Sequence, residues 1–464
     1  MRVVRLGHAG LVVMGGRTRC LIDPVFFDPF EAGINRFEPP VEIDGDAVAT
    51  ACDFVVLSHE HMDHFCVRSL RRIPRDRPVF HPRGATLIEH ALDALGFIDR
   101  RPVVPGQRID CGDLALVFTP SEVSFPEVGI LIGADGRWLW NCVDTEIGEQ
   151  ALALVASVVE RLDLMLANFQ TLAEEELACD GLGSGFPHER YARRLHTVIA
   201  LRPRFVVPAA CGYSYAHAPW LDTRGFPIGE DEFLRDAAVV APETVGVKLS
   251  HGMTIEVATG AVAAEACGWT RPRPATIASD WRPDRGIPPL SDDDPYGHGS
   301  DALIRDVHAL LDGPFLEGIA SGRLSEWRRR LAAADVVWRL EVVAPDSRCM
   351  MRWLDFSAPM RWSDAEPGPP KLITAIAAST LVGLARGEAT PYRALFTRRV
   401  VVKLYAATPW GVQMIGSLAD EPVGKVLFPG ANRRFVDAEL QRSFDEGDPG
   451  LPRFRSLRRG AVHA

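Results

Sequence analysis

No two of the nine cysteines form a Cys-x-x-Cys pair; they are scattered at positions 20, 52, 66, 111, 142, 179, 211, 267 and 349. That spacing excludes a zinc ribbon and the Cys-x-His plus Cys-x-x-His ligands of a Rieske cluster. An odd, unpatterned set suits a reducing cytosol, so a cytoplasmic protein is expected. Long apolar runs are also lacking. The longest, Leu372 to Ala385, is too short and too interrupted to span a bilayer, and no membrane partner is expected. The chain opens directly on a strand pattern, which predicts no signal peptide. Positive charge is not in excess: 51 Lys and Arg stand against 61 Asp and Glu, for a net charge of −10. A basic surface is what phosphate neutralisation needs, so nucleic acid is excluded as the main partner. The run Arg71-Arg72-Ile73-Pro74-Arg75 reads as a solvated helix end. There is no internal repeat, no low-complexity tract and no flavin-binding glycine motif. What is present, 464 residues with 47% hydrophobic and 24% charged, can bury one large core and a smaller one.

Against this plain background one stretch stands out. Ser58-His59-Glu60-His61-Met62-Asp63-His64 follows the apolar run Phe54-Val55-Val56-Leu57, where a strand ends in a turn. Three imidazoles and a carboxylate within six residues are too concentrated for an ordinary solvated loop. His59 and His61 can face one point on such a turn, while Asp63 and His64 face a second a few ångströms away. Two neighbouring metal ions satisfy all four side chains.

The His-x-His-x-Asp-His pattern resembles the metallo-β-lactamase fold, and its surroundings agree. Short strand patterns at Val3-Leu6, Gly10-Met14 and Arg19-Ile22 lead into the turn Asp23-Pro24. Strand and helix patterns then alternate to about residue 260. The resemblance implies an α/β fold, an αββα sandwich, over residues 1–265, with His8 and Asp23 near the metals. Helix patterns fall near Val67-Ile73, Ala85-Leu95, Glu149-Leu162 and Glu189-Leu201. A Pro-, Gly- and Asp-rich stretch marks a linker over 266–300. A smaller α+β domain follows over 301–464, with a charged helix at Ser325-Ala334, strands near Val336-Val343, Met350-Phe356 and Val400-Tyr405, and an apolar helix at Leu372-Ala385. Few of its residues suit chemistry, so it is expected to give no metal ligand and to cover the substrate or to form a homodimer.

Hydrolases of this fold complete a two-metal site with a third histidine, a bridging aspartate and a late histidine. The bridging candidate here is Asp144, after the strand Trp138-Leu139-Trp140. The third-histidine loop departs from that pattern. Thr119-Pro120-Ser121-Glu122-Val123-Ser124 follows the strand Leu114-Phe118, and there is no histidine between His90 and His188. Glu122 is therefore the expected ligand in that loop. Glutamate brings a negative charge and a hard oxygen donor where histidine brings neither. Three carboxylates around two metals favour the higher oxidation states of iron, which zinc does not have. The late histidine is to be chosen among His188, His196, His217 and His251. His217 follows a strand and a glycine-containing loop, and His188 is left as a pocket residue.

Further segments resemble the CMP-N-acetylneuraminate hydroxylase family. They are Leu164-Phe169, Gly181-Leu182-Gly183-Ser184-Gly185-Phe186-Pro187, Cys211-Gly212-Tyr213-Ser214-Tyr215-Ala216-His217-Ala218-Pro219 and Trp353-Ser357. Family members carry Pro-x-Glu where this chain has Pro120-Ser121-Glu122. A similar exchange of glutamate for histidine occurs in the di-iron β-hydroxylase of chloramphenicol biosynthesis. The resemblance implies His59, His61 and Glu122 on one metal, Asp63, His64 and His217 on the other, and Asp144 between them. Ser184, Phe186 and His188 would shape a substrate pocket. The expected activity is a di-iron oxygenase with O₂ as co-substrate, Glu122 and Asp144 serving the chemistry, acting on a small molecule. The sialic-acid hydroxylases begin with a Rieske domain that this chain lacks. Electrons would then come from a separate ferredoxin or flavodoxin. The alternative is a dinuclear zinc hydrolase.

Overall fold

The computed structural model describes residues 1–171, 186–216, 228–273, 289–404 and 421–445. Two sheets face each other in the N-terminal part. The first has eight strands in the order Val262–Ala264, Met253–Glu256, Arg2–Arg5, Leu11–Gly15, Thr18–Ile22, Phe54–Val56, Val79–Pro82 and Arg100–Val103. The second has seven, in the order Val245–Gly246, Phe205–Ala209, Leu164–Asn168, Arg137–Asn141, Val128–Ala134, Leu114–Pro120 and Arg108–Cys111.

Strand periodicity explains why both faces of each sheet are apolar. Val3, Val13, Ile22 and Val56 point inward and meet Leu116, Ile130, Leu139 and Leu166 of the opposite sheet. Their neighbours Val4, Val12, Leu21 and Val55 point outward beneath the helices Gly45–Ala51 and Thr86–Ala94. On the far side, Leu131, Trp140, Met165 and Val206 pack under Glu149–Val158, His188–Leu201 and Glu230–Val240. A strand covered on both faces needs continuous rather than alternating hydrophobicity, as in the fully buried Leu11–Gly15. The expected αββα sandwich is present.

Parallel pairing sets where the chemistry falls. Thr18–Ile22, Phe54–Val56 and Val79–Pro82 run parallel in the first sheet, and Arg137–Asn141, Leu164–Asn168 and Phe205–Ala209 in the second. Asp23, the 58–64 loop and Asp144 all follow the carboxyl ends of such strands, where loops in α/β folds gather ligands.

The C-terminal part has a four-stranded sheet in the order Cys349–Asp355, Val337–Val343, Leu372–Ala377 and Val400–Leu404. Its core joins Trp338, Leu340 and Val342 to the helices Ser300–Leu310, Ser325–Ala333 and Ala378–Arg386. The apolar helix expected over Leu372-Ala385 is a correction. Its first six residues are a strand, paired on one side with Val337–Val343 and on the other with Val400–Leu404. A central strand and a buried helix both read as apolar runs, and tertiary pairing decides between them. The stretch expected as a linker begins tied down, because Thr270–Pro272 pairs with Val41–Ile43; residues 274–288 lie outside the described ones.

The two parts share one packed layer. The helix Ala431–Asp445 returns to the first sheet, and its Phe435, Val436 and Leu440 join the layer beneath Gly45–Ala51 and Thr86–Ala94. His90 and Asp437 pair at 2.6 Å, and the Arg71 guanidinium donates to the Ser443 carbonyl at 3.2 Å. Leu440 is 1% exposed. Leu440→Ala should therefore destabilise the N-terminal sandwich by about 2–5 kcal/mol in denaturant unfolding followed by its buried tryptophans, Trp140 and Trp269.

A buried chain in the second core carries a pH dependence. Trp338 Nε1 donates to Thr374 Oγ1 at 2.9 Å, and Thr374 Oγ1 donates to Glu421 Oε1 at 2.5 Å. Glu421 also accepts from the Val423 and Gly424 amides. Burial outweighs these bonds and pushes its carboxyl up to about 7. A folded pKa above the unfolded one stabilises fully below the unfolded value, and the gain is lost as pH rises through the folded one. Wild-type stability should therefore fall between about pH 5 and 8 by on the order of 2–3 kcal/mol relative to Glu421→Gln, measured by unfolding at each pH.

Candidate metal centre

The 58–64 loop is organised by one carboxylate from the neighbouring strand. Asp23 follows Thr18–Ile22 with φ at +43°, an uncommon conformation for a non-glycine residue. Its Oδ1 accepts from the Ser58 amide at 2.8 Å and its Oδ2 from the Ser58 hydroxyl at 2.7 Å. The same Oδ2 accepts from His64 Nδ1 at 2.9 Å. Since the Ser58 proton is committed to Asp23, Ser58 Oγ accepts from His59 Nδ1, 2.9 Å away. The imidazoles of His59 and His64 are thus each held through Nδ1, leaving Nε2 facing inward. The turn closes with the His64 and Phe65 amides donating to the His61 carbonyl.

Asp63 follows the same logic. His8 Nε2 lies 3.1 Å from Asp63 Oδ2, while Asp63 Oδ1 and His59 Nε2 are buried with no hydrogen-bond partner among the described residues. The His8 ring is stacked on Phe30 at 5.8 Å and meets the edge of Tyr213 at 4.7 Å. Asp144 arrives from the opposite sheet, after Val143, whose φ of +51° is unusual for a β-branched residue and turns the chain toward the site. Asp144 Oδ2 lies 3.0 Å from His64 Nε2. Three donor atoms from His8, Asp63 and His64 lie within 4.8 Å of one another, and so do three from His59, His64 and Asp144. Buried donors satisfied on the outer side and unsatisfied on the inner side are what a metal site requires, so the residues fit metal binding.

Electrostatics agree with that fit at His59 and His61. Burial lowers His59 and His61, keeping them neutral as ligands must be. For His64 burial also lowers, but the carboxylates of Asp144 and Asp63 outweigh it and raise the ring. Asp63 is held well below the usual carboxylate range because His64 and His8 overcome the penalty of burial.

The structure places the remaining expected residues unevenly. The His61 ring lies 4.6 Å from that of His59, is half-buried, and stands outside both donor groups. Glu122 departs from its expected place. It is exposed, its carboxylate rests over Gly148 where a methyl would overlap it, and neither donor group includes it. The carboxylate of this loop that lies beside the metal-binding turn is Glu127, on the outer side of His59. The Val128 amide donates to the Ser58 carbonyl at 3.1 Å, which draws the start of that strand against the metal-binding loop. Glu127 is 6% exposed, accepts from Ser121 Oγ at 2.5 Å, and lies 3.8 Å from His59 Nδ1. Burial pushes its carboxyl up to about 7. A charge directly before the apolar strand Val128–Ala134 was the available signal.

His8 is nearer than expected, since it joins a donor group. Among the pocket residues, Phe186 is half-buried beside the rings of His188 and Tyr191, and His188 is exposed at the start of its helix. Ser184 and His217 lie outside the described residues. Of the other late histidines, His196 is exposed, and His251 is buried with Nδ1 2.7 Å from the Pro39 carbonyl, in neither donor group. Two aromatic rings lie near His61 among the described residues: Phe125, 37% exposed, at 4.9 Å, and Tyr392 of the C-terminal part at 6.0 Å.

Residues 18–208 match the family model described as the β-lactamase superfamily domain. The fold is a metallo-β-lactamase fold. The match spans less than half of the chain and ends before the Cys211-Pro219 and Trp353-Ser357 stretches. The UPF0173 protein PF0020 of Pyrococcus furiosus is 29% identical over 139 residues, covering 30% of this chain and 57% of that protein. Similar solved structures include CmlA, a diiron β-hydroxylase from Streptomyces venezuelae, at 17% identity over 57% of this chain and 54% of that one, with a TM-score of 0.37. An isothiocyanate hydrolase from Delia radicum gut bacteria is 14% identical over 55% of this chain and 99% of that one, with a TM-score of 0.40. No helix among the described residues is long and apolar enough to cross a membrane.

Two exchanges test the centre. Asp23→Asn keeps the size but removes an acceptor used by His64, and metal affinity should fall 10- to 100-fold in a zinc titration. Glu127→Gln should lower metal affinity while Glu122→Gln leaves it within twofold; the reverse order would return Glu122 to the centre.

Proposed function

We propose that this protein is a dinuclear metalloenzyme and, within that class, an O₂-dependent di-iron oxygenase acting on a small molecule. The observation that carries the reading is the donor set. Asp63 and Asp144 converge on His59 and His64, with His8 behind Asp63 and Glu127 behind His59. Hard anionic donors favour iron over zinc. Two irons so held would supply reductive O₂ activation, one oxygen atom entering a substrate C–H or N–H bond and the other leaving as water. That balance takes two electrons and two protons from a separate donor, for which a ferredoxin or flavodoxin is suited.

The chain's own residues have definable parts in this. Asp23 keeps the proton on His64 Nδ1, so that Nε2 stays available as a donor. His8 supports Asp63 from behind and leaves Oδ1 facing inward. Phe125 and Tyr392 restrict water at His61 and define the side from which a substrate enters.

One observation favours a second reading. Glu127 approaches His59 at Nδ1, the nitrogen already bonded to Ser58, and so stands behind the ring rather than beside its free Nε2. A glutamate in that position orients His59 without adding charge to the metals, which suits a dinuclear zinc hydrolase.

The test uses full-length protein reconstituted without oxygen with ferrous ion, compared with the zinc-loaded form. The iron form should bind about two ions per chain and consume O₂ in the oxygen electrode only with a reductant present. Hydrolysis of a phosphoester or ester by the zinc form, without O₂ or reductant, would establish the hydrolase instead.

A further inference from the structure

Among the described residues, the C-terminal part reaches the metal centre through the helix Pro391–Phe396. Thr390 caps it, its Oγ1 accepting from the Arg393 amide at 3.0 Å. The next turn is fixed to the N-terminal part, because buried Arg393 donates to the Ala32 carbonyl and lies over the Tyr296 ring. Tyr392 is thereby placed, with Leu395, among Val25, Phe30, Ile34, Phe37, Tyr213 and Tyr215 of the N-terminal part. The hydroxyls of Tyr392 and Tyr213 are hydrogen-bonded. Tyr213 meets the His8 ring edge-on at 4.7 Å, and His8 Nε2 lies 3.1 Å from Asp63 Oδ2.

These contacts form one continuous path. We infer that Tyr392 is a positioning residue through which the C-terminal domain sets the metal centre, its hydroxyl fixing Tyr213, Tyr213 fixing the His8 ring, and His8 fixing the Asp63 carboxylate. The physical reason is the tightness of the intermediate. The His8 ring is packed between Phe30 on its face and Tyr213 at its edge, so a shift of Tyr213 cannot be absorbed by rotation and is passed to Asp63. Outer residues that orient a ligand alter affinity and coordination without touching the ion. The inference rests on the metal-centre reading above but not on the choice between iron and zinc.

Cobalt(II) is the probe, since its visible spectrum reports coordination geometry independently of any substrate. Full-length wild type, Tyr392→Phe, Tyr213→Phe and the double variant are titrated with cobalt, and affinities are obtained by competition with a chelator. Tyr392→Phe keeps the ring and should keep the fold. It should still bind two cobalt ions, but with a changed visible spectrum and about tenfold weaker binding of one of them. Tyr213→Phe should reproduce the change, and the double variant should add little, since both remove one shared hydrogen bond. His90→Gln, which loosens domain docking at Asp437 away from this path, should leave the spectrum unaltered.

A Tyr392→Phe protein with wild-type spectrum and affinities overturns the inference and leaves the metal-centre reading standing. An equal change in His90→Gln also overturns it, because the effect would then be one of docking in general. Wild type that binds no cobalt overturns both.

Discussion

Asp23 is the constraint on which the centre depends. A buried carboxylate is costly unless its oxygens are satisfied, and this one is satisfied by three donors, all from the metal-binding loop. The dependence is mutual. The loop cannot present His59 and His64 by Nε2 unless Ser58 and Asp23 hold their Nδ1 atoms, and Asp23 cannot remain buried without that loop. The unusual backbone of Asp23 is tolerated because these bonds over-determine it. Adjacent parallel pairing of Thr18–Ile22 and Phe54–Val56 puts both strand ends at one level, so the network begins with the sheet register itself.

From this anchor the centre is assembled across the sandwich. The first sheet contributes His8, Asp23 and the 58–64 loop, and the second contributes Glu127 and Asp144. The inner core between the sheets fixes their separation, and with it the 3.0 Å approach of Asp144 to His64. A site built across two packed layers is rigid because neither layer can move without opening the core.

The C-terminal part is a structural partner of this arrangement rather than an appendage. One of its helices completes the layer beneath the first sheet, and another places Tyr392 at the rim of the centre. Among the described residues it supplies no member of either donor group, so its part is packing and positioning.

Local pattern was enough for much of this. Strands and helices were legible because their periodicities are properties of the backbone, and the resemblance carried by the histidine turn implied the αββα sandwich they form. The His-x-His-x-Asp-His turn announced a metal centre, because neighbours in sequence must be neighbours in space. The same reasoning placed Asp23 and Asp144 at strand ends. It did not distinguish Glu122 from Glu127, five residues apart in one loop. Glu127 is brought beside His59 by the hydrogen bond from Val128 to Ser58, a contact between two sheets that no local pattern encodes. Nor could it divide Leu372-Ala385 into a strand and a helix, because burial on all sides erases the period that tells them apart. Tyr392 lay 331 positions from His61 with nothing in its surroundings to mark it. Ligands that share a turn were legible in the sequence alone, whereas the residues that hold and surround them were decided by long-range packing, which only the folded chain brings together.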